Sequence, residues 1–272
     1  MKRYAQIGLL VATVMTGCHS VQTTSSGAVG VDRKQRVLSF VSEKDLEKSA
    51  AGVYRQELEK ASQRGALNSD AAAVARVQRI AARLIPKTSA FRPDAPNWNW
   101  EINVATSEEV NAYAMPGGKV MVYTGLIDKL NLNDAELAAV IGHEIGHALR
   151  EHSRERVSRA YGQQLAFSIG AAALGLDQNV TQLANALGEV TFQLPHSREQ
   201  EAEADRIGLE LMARAGYDPM AAISVWKKMN QTAGGGPPQF LSTHPSNESR
   251  IRDLESHLSQ VLPLYRATTA GN

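Results

Sequence analysis

His143, Glu144 and His147 stand in the order His-Glu-x-x-His. On a helix, residues four apart lie about 40° apart around the axis. The two imidazoles then project from one face, and their ring nitrogens can converge on a single Zn²⁺ at about 2.0–2.1 Å. Glu144 lies about 100° round from His143, within reach of a water beside that metal. Two nitrogen ligands and a carboxylate base form the signature of metal-assisted peptide hydrolysis. Chance supplies this three-residue pattern in roughly one chain of this length per hundred, so the flanking residues must decide. Leu137, Val140, Ile141, Ile145 and Leu149 mark a buried arc, and the three polar residues fall within it or at its edge. Imidazoles and a carboxylate that face a core need partners. Gly142 and Gly146 lower helix propensity and leave room for another element to approach.

A metal held by protein needs a third ligand. Downstream, residues 197–211 project as a second helix whose inward face carries Ala204, Ile207, Gly208, Leu211 and Ala215. Glu201 and Asp205, four apart, border that face. Glu201 is the candidate third ligand. Asp205 is the candidate acceptor for the free ring N–H of a ligand histidine, which would fix its tautomer; the alternative is a structural ion pair, with Arg250 as partner. Glu199, Glu203, Arg206 and Glu210 project to the opposite side, which reads as a solvated charged face.

With Thr243-His244-Pro245 and Arg250 added, the pattern resembles the zinc metallopeptidase family of the CAAX prenyl proteases and the bacterial HtpX-type proteases, and within it the soluble periplasmic lipoproteins. The resemblance covers roughly residues 70–262 and includes the run Asn111, Ala112, Tyr113, Ala114, Met115, Pro116, Gly117, Gly118. It implies an α+β, mostly helical, zincin-like domain, with a small antiparallel sheet or hairpin beside the His-Glu-x-x-His helix. It implies one Zn²⁺ per chain on His143, His147 and Glu201, with Glu144 as general base. It also implies that Asn111, Ala112, Tyr113 and Ala114 form an edge that takes a polypeptide substrate as an added strand. His244 is the candidate oxyanion donor, with Arg250 orienting or assisting it; swinging onto the metal as a fourth ligand is its other possible role. The several membrane spans of the integral-membrane members are missing from this chain, which argues against a prenylated membrane substrate.

The elements that must position these residues follow in order. Lys2 and Arg3 precede a short apolar run and the sequence Val14-Met15-Thr16-Gly17-Cys18. This reads as a lipoprotein signal peptide over 1–17, with Cys18 lipidated and anchoring the chain to the outer membrane on its periplasmic side. As the only cysteine, Cys18 excludes an intramolecular disulfide. Residues 18–37, rich in Ser, Thr and Gly, read as a flexible tether, and 38–66 as an N-terminal helical segment. The catalytic domain is expected over 67–265 and a disordered tail over 266–272. Within the domain the patterning predicts a helix over 70–85 capped by Ser69, a strand over 100–105 and a hairpin turning at Pro116-Gly117-Gly118. A short helix at 126–130 and the metal helix capped by Asn133 or Asp134 follow. Two helices are expected over 154–191, in which the small residues of 165–176 pack closely. His196 reads as a capping or surface histidine, with metal ligation as the alternative, and 234–238 as a mobile loop.

Composition sets the outer bounds. The formal charge is +1; removing Lys2 and Arg3 from the 29 basic residues leaves 27 against 28 acidic ones. Nothing suggests a nucleic-acid surface. No Gly-x-Ser-x-Gly elbow is present, so a serine hydrolase finds no support. The expected function is a zinc metalloendopeptidase of the bacterial envelope acting on misfolded or envelope proteins. The competing class is an envelope chaperone or assembly factor with a latent or vestigial zinc site.

Overall fold

A computed structural model describes residues 18–173, 183–231, 238–245 and 248–270. The leader at 1–17, the glycine-rich loop at 232–237 and the packing expected of residues 165–176 fall outside what it describes. Two short strands open the chain, β1 (Cys18–Val21) and β2 (Gln35–Leu38), paired antiparallel. Helices α1 (Glu43–Gln63) and α2 (Ala71–Leu84) follow, then strands β3 (Glu101–Ala105), β4 (Ala112–Met115) and β5 (Lys119–Tyr123). The helical remainder is α3 (Thr124–Lys129), α4 (Asp134–Leu149), α5 (His152–Ala173), α6 (Leu183–Phe192), α7 (Arg198–Arg214), α8 (Met220–Gln231), α9 (Gln239–Thr243) and α10 (Glu248–Thr269). No helix among the described residues is long and apolar enough to cross a membrane.

The main core lies where α4 meets α7, α8 and the inner faces of the sheet and α2. Leu137, Ile141, Ile145 and Leu149 of α4 are fully buried there against Ile207 and Leu211 of α7. Burial of each such side chain contributes about 1.5–3 kcal/mol. The sheet order is β3-β5-β4. The β4–β5 hairpin is antiparallel as the sequence implies, but β3 joins β5 in parallel. The sheet is therefore mixed, with β4 at an edge beside α4. A second core under the other sheet face receives Leu46, Ala50 and Tyr54 of α1, and the Tyr54 hydroxyl donates to the Val120 carbonyl at 2.6 Å. The N-terminal helical segment thus packs on the sheet.

Residues 18–37 are not a flexible tether. Val29 and Val31 enter the main core and Thr24 is buried. Arg33 forks onto two carboxylates, Glu155 of α5 at 2.7 Å and Glu203 of α7 at 2.6 Å. Gly27, at φ +61°, lies so close to Phe91 and Glu210 that a Cβ there would sit 2.4 Å from the ring. Small polar residues serve here to bring backbone against a helix, and the Glu210 carboxylate accepts the Ala28 and Val29 amides at 2.6 and 3.1 Å.

The same segment overturns the solvated face expected on α7. Glu203 and Glu210 are buried beneath it, whereas Glu199 stays exposed and Arg206 pairs with Asp253. The tail expected to be disordered is helical through Thr269, and the Thr268 hydroxyl donates to the Arg214 carbonyl. The cap of α2 is Asp70 rather than Ser69, accepting the Ala72 and Ala73 amides.

Candidate metal centre

Helix α4 begins with a capping box: Asn133 accepts the Glu136 amide while the Glu136 carboxylate accepts the Asn133 amide. Helix α7 begins the same way, through Ser197 and Gln200. The two helices cross at small residues. A Cβ on Gly208 would lie 2.8 Å from the His143 backbone nitrogen, and one on Gly146 would lie 2.9 Å from the Ala204 carbonyl oxygen. This near-contact of backbones brings α4 and α7 close enough for side chains from both to share one cation.

His143, Glu144, His147, Glu201 and His244 are all buried. Nε2 of His143 lies 3.0 Å from Nε2 of His147. The Glu201 carboxylate oxygens lie 3.6 Å from His143 Nε2 and 3.3 Å from His147 Nε2. Ligands about 2.0–2.1 Å from a tetrahedral zinc stand roughly 3.3–3.4 Å apart; the two Glu201 contacts bracket that span and the imidazole pair falls about 0.3 Å inside it. Several of the cluster's polar atoms also lack hydrogen bonds. Both Glu201 oxygens and His244 Nε2 are buried without a hydrogen bond, although Arg250 Nη1 stands 2.5 Å from one Glu201 oxygen as an ion pair. Buried carboxylate oxygens and an imidazole lone pair left open in one cluster suit a cation. The nitrogen and oxygen donors fit Zn²⁺.

The supports differ for the two histidines. His143 Nδ1 donates to Asp205 at 2.9 Å, leaving Nε2 free to face the cluster. Asp205 is gripped in turn by Arg250 through Nε and Nη2, both at 2.7 Å. Asp205 thus stands against both His143 and Arg250. Burial pushes the Asp205 carboxyl up, but Arg250 and His143 hold it below the usual range. The Arg250 guanidinium lies 3.7 Å over the Trp226 ring and donates to the Pro245 carbonyl at 3.2 Å, which ties it to the loop that carries His244.

Glu144 points at the same space from one residue further round α4. Its Oε1 lies 3.5 Å from His244 Nε2. Burial and the neighbouring Glu201 raise its pKa well above the ordinary value, against the Ala114 backbone amide and Arg250. Ala114 belongs to β4, so the edge strand lies beside Glu144. Asn111, just before β4, donates to Glu109 at 2.9 Å; Ala112 and Tyr113 are buried, and Ala114 is half-buried. A cavity of about 190 Å³, lined by His196, Glu201, Pro245, Ser249 and Arg250 among others, opens onto the cluster.

His244 is fixed by stacking on Phe240, with centroids 4.3 Å apart. Its Nδ1 lies 3.2 Å from the Phe240 carbonyl and 2.9 Å from the Thr243 hydroxyl. His143, His147, Glu201 and His244 each offer a ligand atom within 4.8 Å of the others.

Two more histidines stand at the centre. His196 is half-buried rather than free at the surface: its ring lies 4.0 Å from His147 and 4.9 Å from His244, and Arg156 reaches its Nε2 at 2.8 Å. His152 is fully buried against the back of His147. The only hint in the chain was its place five residues beyond His147, just past the end of the same helix.

The geometry agrees with the comparisons to known proteins. Residues 71–258 match the model of peptidase family M48. The mitochondrial metalloendopeptidase OMA1 of Arabidopsis thaliana is 40% identical over 176 residues, covering 64% of this chain and 35% of that protein. The metalloprotease LoiP of Escherichia coli is 28% identical over 256 residues, covering 93% of this chain and 95% of LoiP. The beta-barrel assembly-enhancing protease of Escherichia coli is 29% identical over 167 residues, covering 58% of this chain and 34% of that protein. The chain spans about a third to a half of the length of the OMA1 relatives. The family match takes in α4, α7 and the part of α10 that carries Arg250, and it covers more than half of the sequence; the chain belongs to peptidase family M48.

Proposed function

We propose that this protein is a zinc-dependent metalloendopeptidase of the bacterial envelope. The observation that carries the reading is the convergence of His143 Nε2, His147 Nε2 and the two Glu201 oxygens at separations of 3.0–3.6 Å, brought together by two backbone-close helices. His143, His147 and Glu201 hold the metal. When bound, zinc polarises a carbonyl and brings the pKa of a water down towards about 7. Glu144 takes a proton from the attacking water onto its carboxylate and delivers it to the departing amide nitrogen. The free edge of β4 pairs with the substrate main chain, and the Ala114 amide couples that edge to Glu144.

His244 has two candidate roles, and the position of its ring proton separates them. A proton on Nδ1, donated to the Phe240 carbonyl at 3.2 Å, leaves a lone pair at Nε2; the Thr243 hydroxyl, nearer at 2.9 Å, can instead donate to Nδ1 and put the proton on Nε2. A lone pair ligates a cation; it does not donate to an oxyanion. In the first arrangement His244 is a fourth ligand that closes the site; in the second its Nε2–H faces the cluster and can support an oxyanion.

The leader and Cys18 support a periplasmic lipoprotein held at the outer membrane. Cys18 is the first residue of β1 and pairs with Leu38, so a lipid there leaves little slack between domain and bilayer. Misfolded or envelope polypeptides are the substrates this placement favours.

The test is cleavage of casein by purified protein carrying one zinc per chain. Glu144→Gln should keep fold and zinc and lose about 10²-fold or more in rate. Zinc binding with no Glu144-dependent cleavage, even after His244→Ala, would sink this reading in favour of an envelope chaperone with a latent site.

A further inference from the structure

His147 lacks the carboxylate that supports His143. In its place stands a second imidazole: His147 Nδ1 lies 2.7 Å from His152 Nδ1, and His152 Nε2 lies 3.0 Å from Glu203 Oε2. Helix α4 ends at Arg150, and Glu151 turns the chain through a left-handed conformation at φ +50°. That reversal brings the first residue of α5 back beneath the helix it has just left. Arg92 and Arg154 hold the Glu151 carboxylate at 2.9 and 2.8 Å.

A second metal among His147, His152 and His196 does not fit. A separation of 2.7 Å is a hydrogen bond; two nitrogens on one tetrahedral ion stand roughly 3.3–3.4 Å apart. Arg156 also brings a cation to His196.

The proton order along the chain follows from its two ends. His147 Nε2 must keep its lone pair to face a metal, so Nδ1 carries the proton and donates to His152. His152 Nδ1 must then be the acceptor, which puts its proton on Nε2, where Glu203 accepts it. Glu203 cannot reverse the order, because a carboxylate beside Arg33 at 2.6 Å and Arg150 at 3.1 Å stays ionised and accepts only. The opposite order would place the His147 proton on Nε2 and close that nitrogen to a metal.

We propose that His152, directed by Glu203, is a positioning residue that sets the tautomer of His147 and keeps its Nε2 open for the metal. This rests on His143, His147 and Glu201 being the ligands. The relay carries the charge of Glu203 to the second histidine as Asp205 carries it to the first. It also joins the N-terminal segment to the centre, because Arg33 holds Glu203.

The experiment uses the full chain and two readouts. In metal-free wild type, long-range ¹⁵N–¹H spectra identify the protonated nitrogen of His147, assigned by its loss in His147→Gln. The expected result is a proton on Nδ1; a proton on Nε2 overturns the proposal. Zinc affinity is then read by competition with a chromophoric chelator. His152→Phe keeps the volume, leaves Glu203 paired with both arginines, and should weaken zinc binding about 10–100-fold. His152→Asn places an amide oxygen near the site of Nδ1 and should recover most of that loss. Wild-type affinity in His152→Phe, or equal weakness in a folded His152→Asn, overturns the proposal. The wild-type spectrum does not depend on the His152 variants, so a misfolded His152→Phe leaves the test standing. A wild type that binds no zinc sinks the ligand assignment instead, while the spectrum still decides the relay.

Discussion

Replacing Gly208 by Ala tests whether backbone contact between α4 and α7 sets the metal geometry. The added Cβ would meet His143 N at 2.8 Å, Gly142 C at 2.9 Å and His143 Cα at 3.2 Å. All three are backbone atoms of α4, so no side chain can swing aside. Ordinary contact begins near 3.4 Å, and the helices must therefore part by about 0.6 Å or tilt by an equivalent amount. Two ligands ride on α4 and the third on α7, two turns before Gly208. A shift of that size exceeds the tolerance of about 0.2 Å for metal–ligand distances. Stability moves less, because overpacking costs about 1–3 kcal/mol while Ala in a helix recovers about 1 kcal/mol over Gly. The expected signature is a zinc affinity at least about 10-fold weaker, with a metal-free melting temperature only a few degrees lower. Chelator competition and thermal melts of the metal-free protein measure the two. Gly52→Ala in α1 is the control: nothing lies within 4 Å of its Cβ, so it should stabilise by about 1 kcal/mol and leave zinc untouched. Wild-type zinc affinity and hydrolysis in Gly208→Ala would refute the reasoning.

Glu201→Gln should lower zinc content sharply, since a neutral amide is a poor zinc ligand; metal analysis of the purified variant decides, and full occupancy would exclude Glu201 as the third ligand. His244→Ala should raise casein hydrolysis if the ring caps the metal and lower it if the ring supports the oxyanion; an unchanged rate removes both roles. Acid should weaken the metal-free fold through Glu203: burial pushes that carboxyl up, but hydrogen bonds from His152 and Arg33 hold it down to about 2. Its folded pKa lies below the unfolded value, so its stabilisation of about 3 kcal/mol is complete above pH about 4.5 and fades as pH falls towards about 2. Urea unfolding of the metal-free protein across that window measures the loss, and Arg33→Met should flatten it; an equally steep decline in that variant would remove Arg33 from the account.

Much of the centre is legible because it is local or nearly so. The spacing of His143 and His147, the Glu201–Asp205 pair and the Asn133 cap each express the geometry of one helix, and helical period alone sorts their faces. The same method failed on Glu203 and Glu210. A charged stripe opposite an apolar one projects as solvated, yet residues 18–38 return across it and bury both carboxylates against Arg33, Arg150 and backbone amides. His196 and His152 escaped for the same reason, since their neighbours come from other elements: α5 and α9 around one, α4 and α7 around the other.

The amino-acid order thus determined which side chains share a helical face, where the helices start, and that two imidazoles and two carboxylates face inward. Only the tertiary structure decided what covers each face: that β3 runs parallel to β5, that the N-terminal segment is packed chain, and that His147 leans on an imidazole where His143 leans on a carboxylate. Periodicity reports the direction of a side chain from its own axis. What waits in that direction depends on a crossing between segments far apart in sequence, here set by the absence of a Cβ at Gly208.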